Sequence, residues 1–281
     1  MKFTGERYLP DKEGILSLQH YHRYEFVNHI IKLKNKIVLD IACGEGYGSL
    51  ILGKNAKKVY GVDISEESIV HAKNKYSNKN IDFLIGDVTK IPLEDNSVDI
   101  VVSFETIEHH DRHREMLSEI KRVLKPNSGI LIISSPDKLF YEKNYPDSKN
   151  EFHIKELYKD EFHQLLKEHF EFNYYYLQNN VFGSIIARET QEKADYSDLY
   201  YFNKDNKNYG KLQSRFNISI SANQSLDMQG YTSIYTYDIL SDPYSELITM
   251  QKNLESITNS RSWCLYNIIM KPLRKVKKIF S

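Results

Sequence analysis

Three aspartates and a group of glycines stand where a nucleoside-like ligand could be held. The run Asp40, Ile41, Ala42, Cys43, Gly44, Glu45, Gly46, Tyr47, Gly48 reads as a tight strand-to-helix turn, where missing β-carbons let a ligand approach the backbone. Asp63 lies 19 residues after Gly44, and a carboxylate ending a second strand can accept hydrogen bonds from ribose hydroxyls. Asp87, after Gly86, can face the exocyclic amine of an adenine at the end of a third strand. A second group, Ser103, Phe104, Glu105, Thr106, Ile107, Glu108, His109, His110, offers proton acceptors, and His153 in NEFHIKEL offers another. Histidine suits that role because its charge changes near neutral pH. His109, His110 and His113 lack a partnering Cys/His set at familiar ligand separations, so no catalytic metal is expected.

Positioning these groups falls to a run of βαβ units between Lys36 and Pro136. Strands are expected over Ile37 to Ala42, Lys58 to Val62, Ile81 to Ile85, Val98 to Phe104 and Gly129 to Ser134. Helices are expected over Glu66 to Tyr76 and Arg112 to Leu124, from apolar residues at helical spacing, with Ser65 and Asp111 as N-caps. Farther on, Ile154 to Phe170 reads as a helix, and Glu171 to Gln178 and Arg215 to Ser221 as strands. In an open α/β sheet the ligand lies outside the carboxyl ends of the strands, where Asp63, Asp87 and the residues after Ser103 fall.

The turn is G-x-G-x-G opened by Asp40, not the G-x-G-x-x-G whose helix N-terminus receives a dinucleotide's pyrophosphate. An acid there suits a ligand carrying an ammonium and a sulfonium better than one carrying two phosphates. That points to S-adenosylmethionine.

The order of these motifs resembles class I S-adenosylmethionine-dependent methyltransferases across about residues 36 to 137. FTGERYLP, VSFETIEHHDRHREMLSEIKRVLKPNSGILIISSPDK and NEFHIKELYKDEFHQLL are similar to a group of these enzymes found among bacterial surface-glycan biosynthesis proteins. The resemblance implies a Rossmann-like α/β fold with a mostly parallel seven-stranded sheet and an antiparallel edge strand. It assigns Asp40, Gly44 and Gly46 to the methionine end, Asp63 to the ribose, and Asp87 with Val88 to the adenine, with Ile64 and Glu105 completing the cofactor set. It makes His109 the first candidate base, with Glu108 orienting it or touching the acceptor, and His153 the second. Ala42 departs from the glycine many members carry. The turn after the fourth strand is Phe104, Glu105, Thr106, Ile107 rather than the Pro-Pro-aromatic turn of nucleic-acid amine methylation. Oxygen methylation of a sugar or other small molecule follows. The alternatives are a quinone, lipid or metabolite acceptor, a non-catalytic cofactor-binding subunit of a glycan assembly complex, and a dehydrogenase.

Lys plus Arg and Asp plus Glu both number 38 in 281 residues, which argues against a basic nucleic-acid-binding surface. Neither a signal peptide nor a run approaching about 20 apolar residues is present, so a cytoplasmic protein is expected. Cys43 and Cys264 are too far apart and too few for a disulfide framework. The expected organisation is an N-terminal lid over 1–30, which includes Tyr21, His22, Arg23 and Tyr24, and a methyltransferase domain over 31–224 with a polar insertion at 189–213. A C-terminal extension over 225–281 follows. Trp263 to Phe280 contains no acid, while Lys271, Arg274, Lys275, Lys277 and Lys278 crowd its end among apolar residues. Such a tail suits peripheral contact of 261–280 with an anionic inner-membrane face, or with glycan-assembly proteins.

Overall fold

A computed structural model describes residues 15–76, 78–146, 150–181, 183–188, 200–202, 209–211, 214–228 and 232–235. These all fall within one compact unit, residues 1–235. In chain order the elements are α1 (Ile15–Ile30), β1 (Ile37–Ile41), α2 (Tyr47–Gly53), β2 (Lys58–Asp63), α3 (Glu66–Lys75), β3 (Ile81–Ile85) and β4 (Ile100–Ser103). A 3-10 turn (Ile107–His109) leads to α4 (His113–Val123), β5 (Ile130–Pro136), α5 (Lys138–Asn144), α6 (Lys159–Lys167) and β6 (Phe172–Val181). Then come β7 (Gly183–Arg188), β8 (Tyr200–Phe202), β9 (Tyr209–Lys211), β10 (Phe216–Ala222) and β11 (Thr232–Tyr235).

The main sheet runs β11-β7-β6-β10-β5-β4-β1-β2-β3. Strands β1 to β5 pair in parallel, and β10 pairs antiparallel with both β5 and β6. The expected seven strands are therefore present as β3-β2-β1-β4-β5-β10-β6. The antiparallel strand lies inside the sheet instead of at its edge, and β7 and β11 extend the sheet to nine. β11 belongs to this sheet although it falls past residue 224. The polar insertion carries the small β8–β9 hairpin. The tail over 261–280 lies outside the described residues.

Parallel strands buried on both faces explain the near-continuous apolar runs. Alternate residues feed opposite layers: Val38, Val102 and Ile132 pack with Phe26, Val27, Ile51 and Leu52 of α1 and α2, whereas Leu39, Val101, Leu131 and Ile133 meet Met116, Leu117 and Ile120 of α4 and Phe162 of α6. Strand β10 is buried along its whole length, its polar residues included, because Ser219, Ser221 and Asn173 hydrogen-bond one another across the sheet. No helix among the described residues is long and apolar enough to cross a membrane.

Two helix starts show how local chemistry sets the boundaries. Ser65 caps α3 by accepting a bond from the Ser68 amide. Asp111 does not cap α4; the N-cap position is Arg112, with no side-chain cap bond. Helix α6 begins only at Lys159, where the Glu161 carboxylate accepts the Tyr158 amide. Residues 154–158, read as helix from their apolar spacing, form a connecting segment that buries Leu157 in the core and leaves Ile154 exposed.

Candidate active site

The loops after β1, β2, β3 and β4 meet at the carboxyl edge of the sheet. The turn after β1 needs three left-handed residues: Ala42 at φ 59°, Gly44 at φ 57° and Gly46 at φ 92°. Ala42 is the only one of the three with a side chain, and a left-handed backbone is why glycine suits that place. Asp63 ties two loops together, since its carboxylate oxygens accept the Gly44 amide and the Ser65 amide, each at 2.9 Å. A carboxylate has about four acceptor positions, more than these two bonds occupy. Ile64 beside it is 70% exposed, a flat apolar surface next to a polar anchor.

Asp87 accepts from the Thr89 amide and hydroxyl at 2.7 Å and faces Arg112 at 3.4 Å. The Thr89 hydroxyl, then the Thr89 amide, hold its carboxyl below the usual range, with Arg112 adding to the effect against partial desolvation. Val88 packs partly buried against the core. Exposed Ile64 between two strand-end acids fits an adenosine moiety: ribose hydroxyls and the exocyclic amine are donors, and the base is a flat apolar ring.

Asp40 sits beneath the turn rather than on its surface. It is buried, accepting Ser49 Oγ at 2.7 Å and the Tyr24 hydroxyl at 3.1 Å. Burial pushes its carboxyl up to about 7, against those two hydrogen bonds and with a contribution from the nearby Asp63 charge. Its contacts make it a buttress of the turn. Because the folded protein holds this proton more tightly than the unfolded chain, the Asp40 contribution to stability is full below about pH 4, falls as pH rises from about 4 to about 7, and is flat above. Asp40→Asn should remove that loss. The variant's melting temperature, compared with the wild type at pH 5 and pH 8, should shift in the variant's favour at the higher pH.

Glu105 adopts φ 50°, another left-handed residue at a strand end. Its carboxylate accepts the Ser134 hydroxyl at 2.6 Å and lies 3.5 Å from the buried Arg23 guanidinium, which donates to Gln178 at 2.7 Å. Of the expected lid residues, Arg23 and Tyr24 thus point into the fold, and His22 bonds Ser233 of β11 at 2.8 Å. Nothing in the spacing of YHRYEF marked Arg23 as a partner of Glu105, or Tyr24 as a partner of Asp40.

The structure separates the neighbouring histidines. His110 contacts Met116 Sδ at 3.2 Å and His113 reaches the His110 carbonyl at 2.7 Å. Desolvation lowers both pKa values. His109 turns the other way. Its Nδ1 meets the Phe152 carbonyl at 3.0 Å, its Nε2 lies 3.9 Å from Glu108 Oε1, and its ring stands edge-on to His153 with centroids 5.2 Å apart. His153 Nδ1 bonds the Glu156 carboxylate, and the Lys155 amide donates to the Glu108 carbonyl, fastening this segment to the 3-10 turn. Glu108 itself is 1% exposed. One ligand atom from each of Glu108, His109 and His153 lies within 4.8 Å of the others. All three expected catalytic residues are therefore brought together from distant parts of the chain, which no short spacing motif registers.

The strand order and the strand-end acids together define a class I methyltransferase fold. Residues 39–133 match the model of a family described as a methyltransferase domain. A protein of Mycolicibacterium smegmatis named "Probable S-adenosylmethionine-dependent methyltransferase" is 32% identical over 169 residues, covering 59% of this chain and 64% of its own. The chain thus spans less than two thirds of that relative. A phthiotriol/phenolphthiotriol dimycocerosates methyltransferase of Mycobacterium ulcerans is 28% identical over 40% of this chain and 42% of its own. A solved S-adenosylmethionine-dependent methyltransferase of Thermotoga maritima superposes with TM-score 0.52 at 18% identity, over 75% of this chain and 91% of its own, a likeness of fold.

Asp63→Ala should weaken S-adenosylmethionine binding by about 1–3 kcal/mol, because it removes an acceptor and strands donors. Calorimetry on the folded variant checks this. Wild-type affinity would put the ribose elsewhere.

Proposed function

We propose that this chain transfers a methyl group from S-adenosylmethionine to a hydroxyl of a sugar in a surface glycan or its lipid- or nucleotide-linked precursor. The observation that carries this reading is the Glu108–His109–His153 group beside the strand-end acids that fit an adenosine. The bound cofactor supplies a methyl carbon on a sulfonium, an electrophile that needs alignment rather than activation. Asp63, Ile64, Asp87 and Val88 hold the adenosine half, while Gly44 and Gly46, buttressed by Asp40, shape the backbone under the methionine half. Glu105, fixed by Ser134 and Arg23, borders the reacting end.

His109 then takes the acceptor's proton. The Phe152 carbonyl can only accept, so Nδ1 carries the hydrogen and Nε2 presents its lone pair toward Glu108. The Glu108 carboxylate, 3.9 Å from that nitrogen, stabilises the positive charge the ring gains with the proton, and His153 flanks it. Phe152 and Ile154, 49% and 66% exposed, give the acceptor side an apolar rim. That rim, with the lipid-named M. ulcerans relative, favours one second reading, a lipid or quinone acceptor. Labelled S-adenosylmethionine with a panel of nucleotide sugars, lipid-linked sugars, quinols and lipids distinguishes the two. No transfer to any acceptor would leave the non-catalytic reading.

The basic tail fits a membrane-presented acceptor, since each cation near an anionic surface contributes about 1 kcal/mol before screening. Full-length protein should pellet with anionic liposomes at low salt, and a truncation ending at Asn259 should not. Equal behaviour of the two would remove the tail from the proposal.

A further inference from the structure

We propose that Glu108, His109 and His153 form a binding site for a divalent first-row transition cation. The inference goes beyond the methyl-transfer reading, and only the cation's role in the reaction rests on that reading.

Two ligand atoms each about 2.0–2.2 Å from one ion stand about 3.4 Å apart at a tetrahedral angle and about 4.2 Å apart when opposed. The 3.9 Å between Glu108 Oε1 and His109 Nε2 falls in that interval, and the three ligand atoms lie within 4.8 Å of one another. Binding would draw the more distant of these atoms to within about 4.2 Å of one another.

The hydrogen bonds behind the ligands argue for more than proximity. A metal-bound imidazole ordinarily gives its other ring N–H to a carbonyl or carboxylate, which sets the tautomer and aims the lone pair. His109 does this with the Phe152 carbonyl, and His153 with the Glu156 carboxylate. In each histidine Nε2 is then the ring nitrogen that would serve as ligand atom. The carboxylate comes from Glu108, held on the 3-10 turn and 1% exposed.

Two imidazoles and one carboxylate suit zinc, manganese or iron(II) better than calcium or magnesium, which prefer all-oxygen shells. Three protein ligands leave coordination positions open toward the carboxyl edge of β4. There the cation would receive the acceptor's oxygen and lower its pKa. The hydroxyl proton passes to solvent, and the oxygen keeps the electron pair that forms its bond to the methyl carbon as the carbon–sulfur bond breaks. In that arrangement His109 Nε2 is a ligand rather than the proton acceptor.

The test uses the full chain, stripped with a chelator and titrated with Zn²⁺ by calorimetry and with Mn²⁺ by paramagnetic resonance. One cation per chain is expected. His109→Ala and His153→Ala should each weaken binding at least tenfold, and Glu156→Gln, which only loosens the aim of His153, by about 10- to 100-fold. Buried Glu108 is left unchanged because its replacement threatens the fold. Circular-dichroism melts establish that the three variants are folded. The site is overturned if wild type binds either cation no more tightly than the His109→Ala/His153→Ala double variant. Methyl transfer that persists without cation binding would reject the site and leave the methyltransferase reading intact. Specific cation binding with no transfer to any acceptor would do the reverse.

Discussion

Replacing His109 by alanine should lower turnover by about 10²–10⁴ while leaving S-adenosylmethionine affinity within about twofold. The size follows from removing a group that acts on the acceptor's hydroxyl in the transition state, directly as base or through a cation it holds, and makes no ground-state contact with the cofactor. His109 is about one-third exposed, so the fold should tolerate its loss. Single-turnover kinetics and calorimetry on the same preparation separate rate from binding. Unchanged turnover at saturating acceptor would move the role to His153, or imply an acceptor that is already an anion.

Gly46→Ala should strongly disrupt the cofactor loop. Its backbone lies at φ 92°, and a β-carbon there would come within 2.7 Å of Phe83 and 2.9 Å of Ala72. Neither neighbour can yield cheaply, because Phe83 is 4% exposed and Ala72 is fully buried on α3. A left-handed residue with a side chain costs about 1–2 kcal/mol, and overpacking a filled core about 1–3 kcal/mol. Together these reach about 2–5 kcal/mol, a large share of the ~5–15 kcal/mol that holds a typical domain folded. Denaturant unfolding should show the midpoint displaced with little change in slope, and calorimetry should show cofactor binding lost or much weakened. A variant as stable as the wild type, with full affinity, would mean that the turn relaxes in a way this packing does not permit.

Much of the sheet was legible because its signal is local. Strands buried on both faces must be apolar at nearly every position, as in Ile37 to Ile41 and Ile130 to Ile133, and the Ser65 cap was visible beside its helix. The acids Asp63 and Asp87 could be placed because each lies at the carboxyl end of a largely apolar run. Signals carried by distant partners misled or were silent. Spacing of Ile154 and Leu157 mimicked a helix although the segment folds across the 3-10 turn, and Asp111 stood one residue from an N-cap that it does not make. β10 alternates in polarity like a half-exposed strand, yet both its faces are covered, because its serines satisfy one another inside the sheet.

The sequence by itself determined the parallel βαβ order, the glycine turn and the acidic strand ends, features set by contacts between near neighbours along the chain. Only the tertiary structure decided that Asp40 buttresses the turn from below, that Arg23 reaches Glu105, and that His109, not His110, meets His153. Those outcomes depend on which way a short 3-10 turn faces once α4 and the segment around His153 have packed against it. Side-chain direction at such a turn is set by long-range burial and hydrogen bonding, and the order of residue types does not encode it.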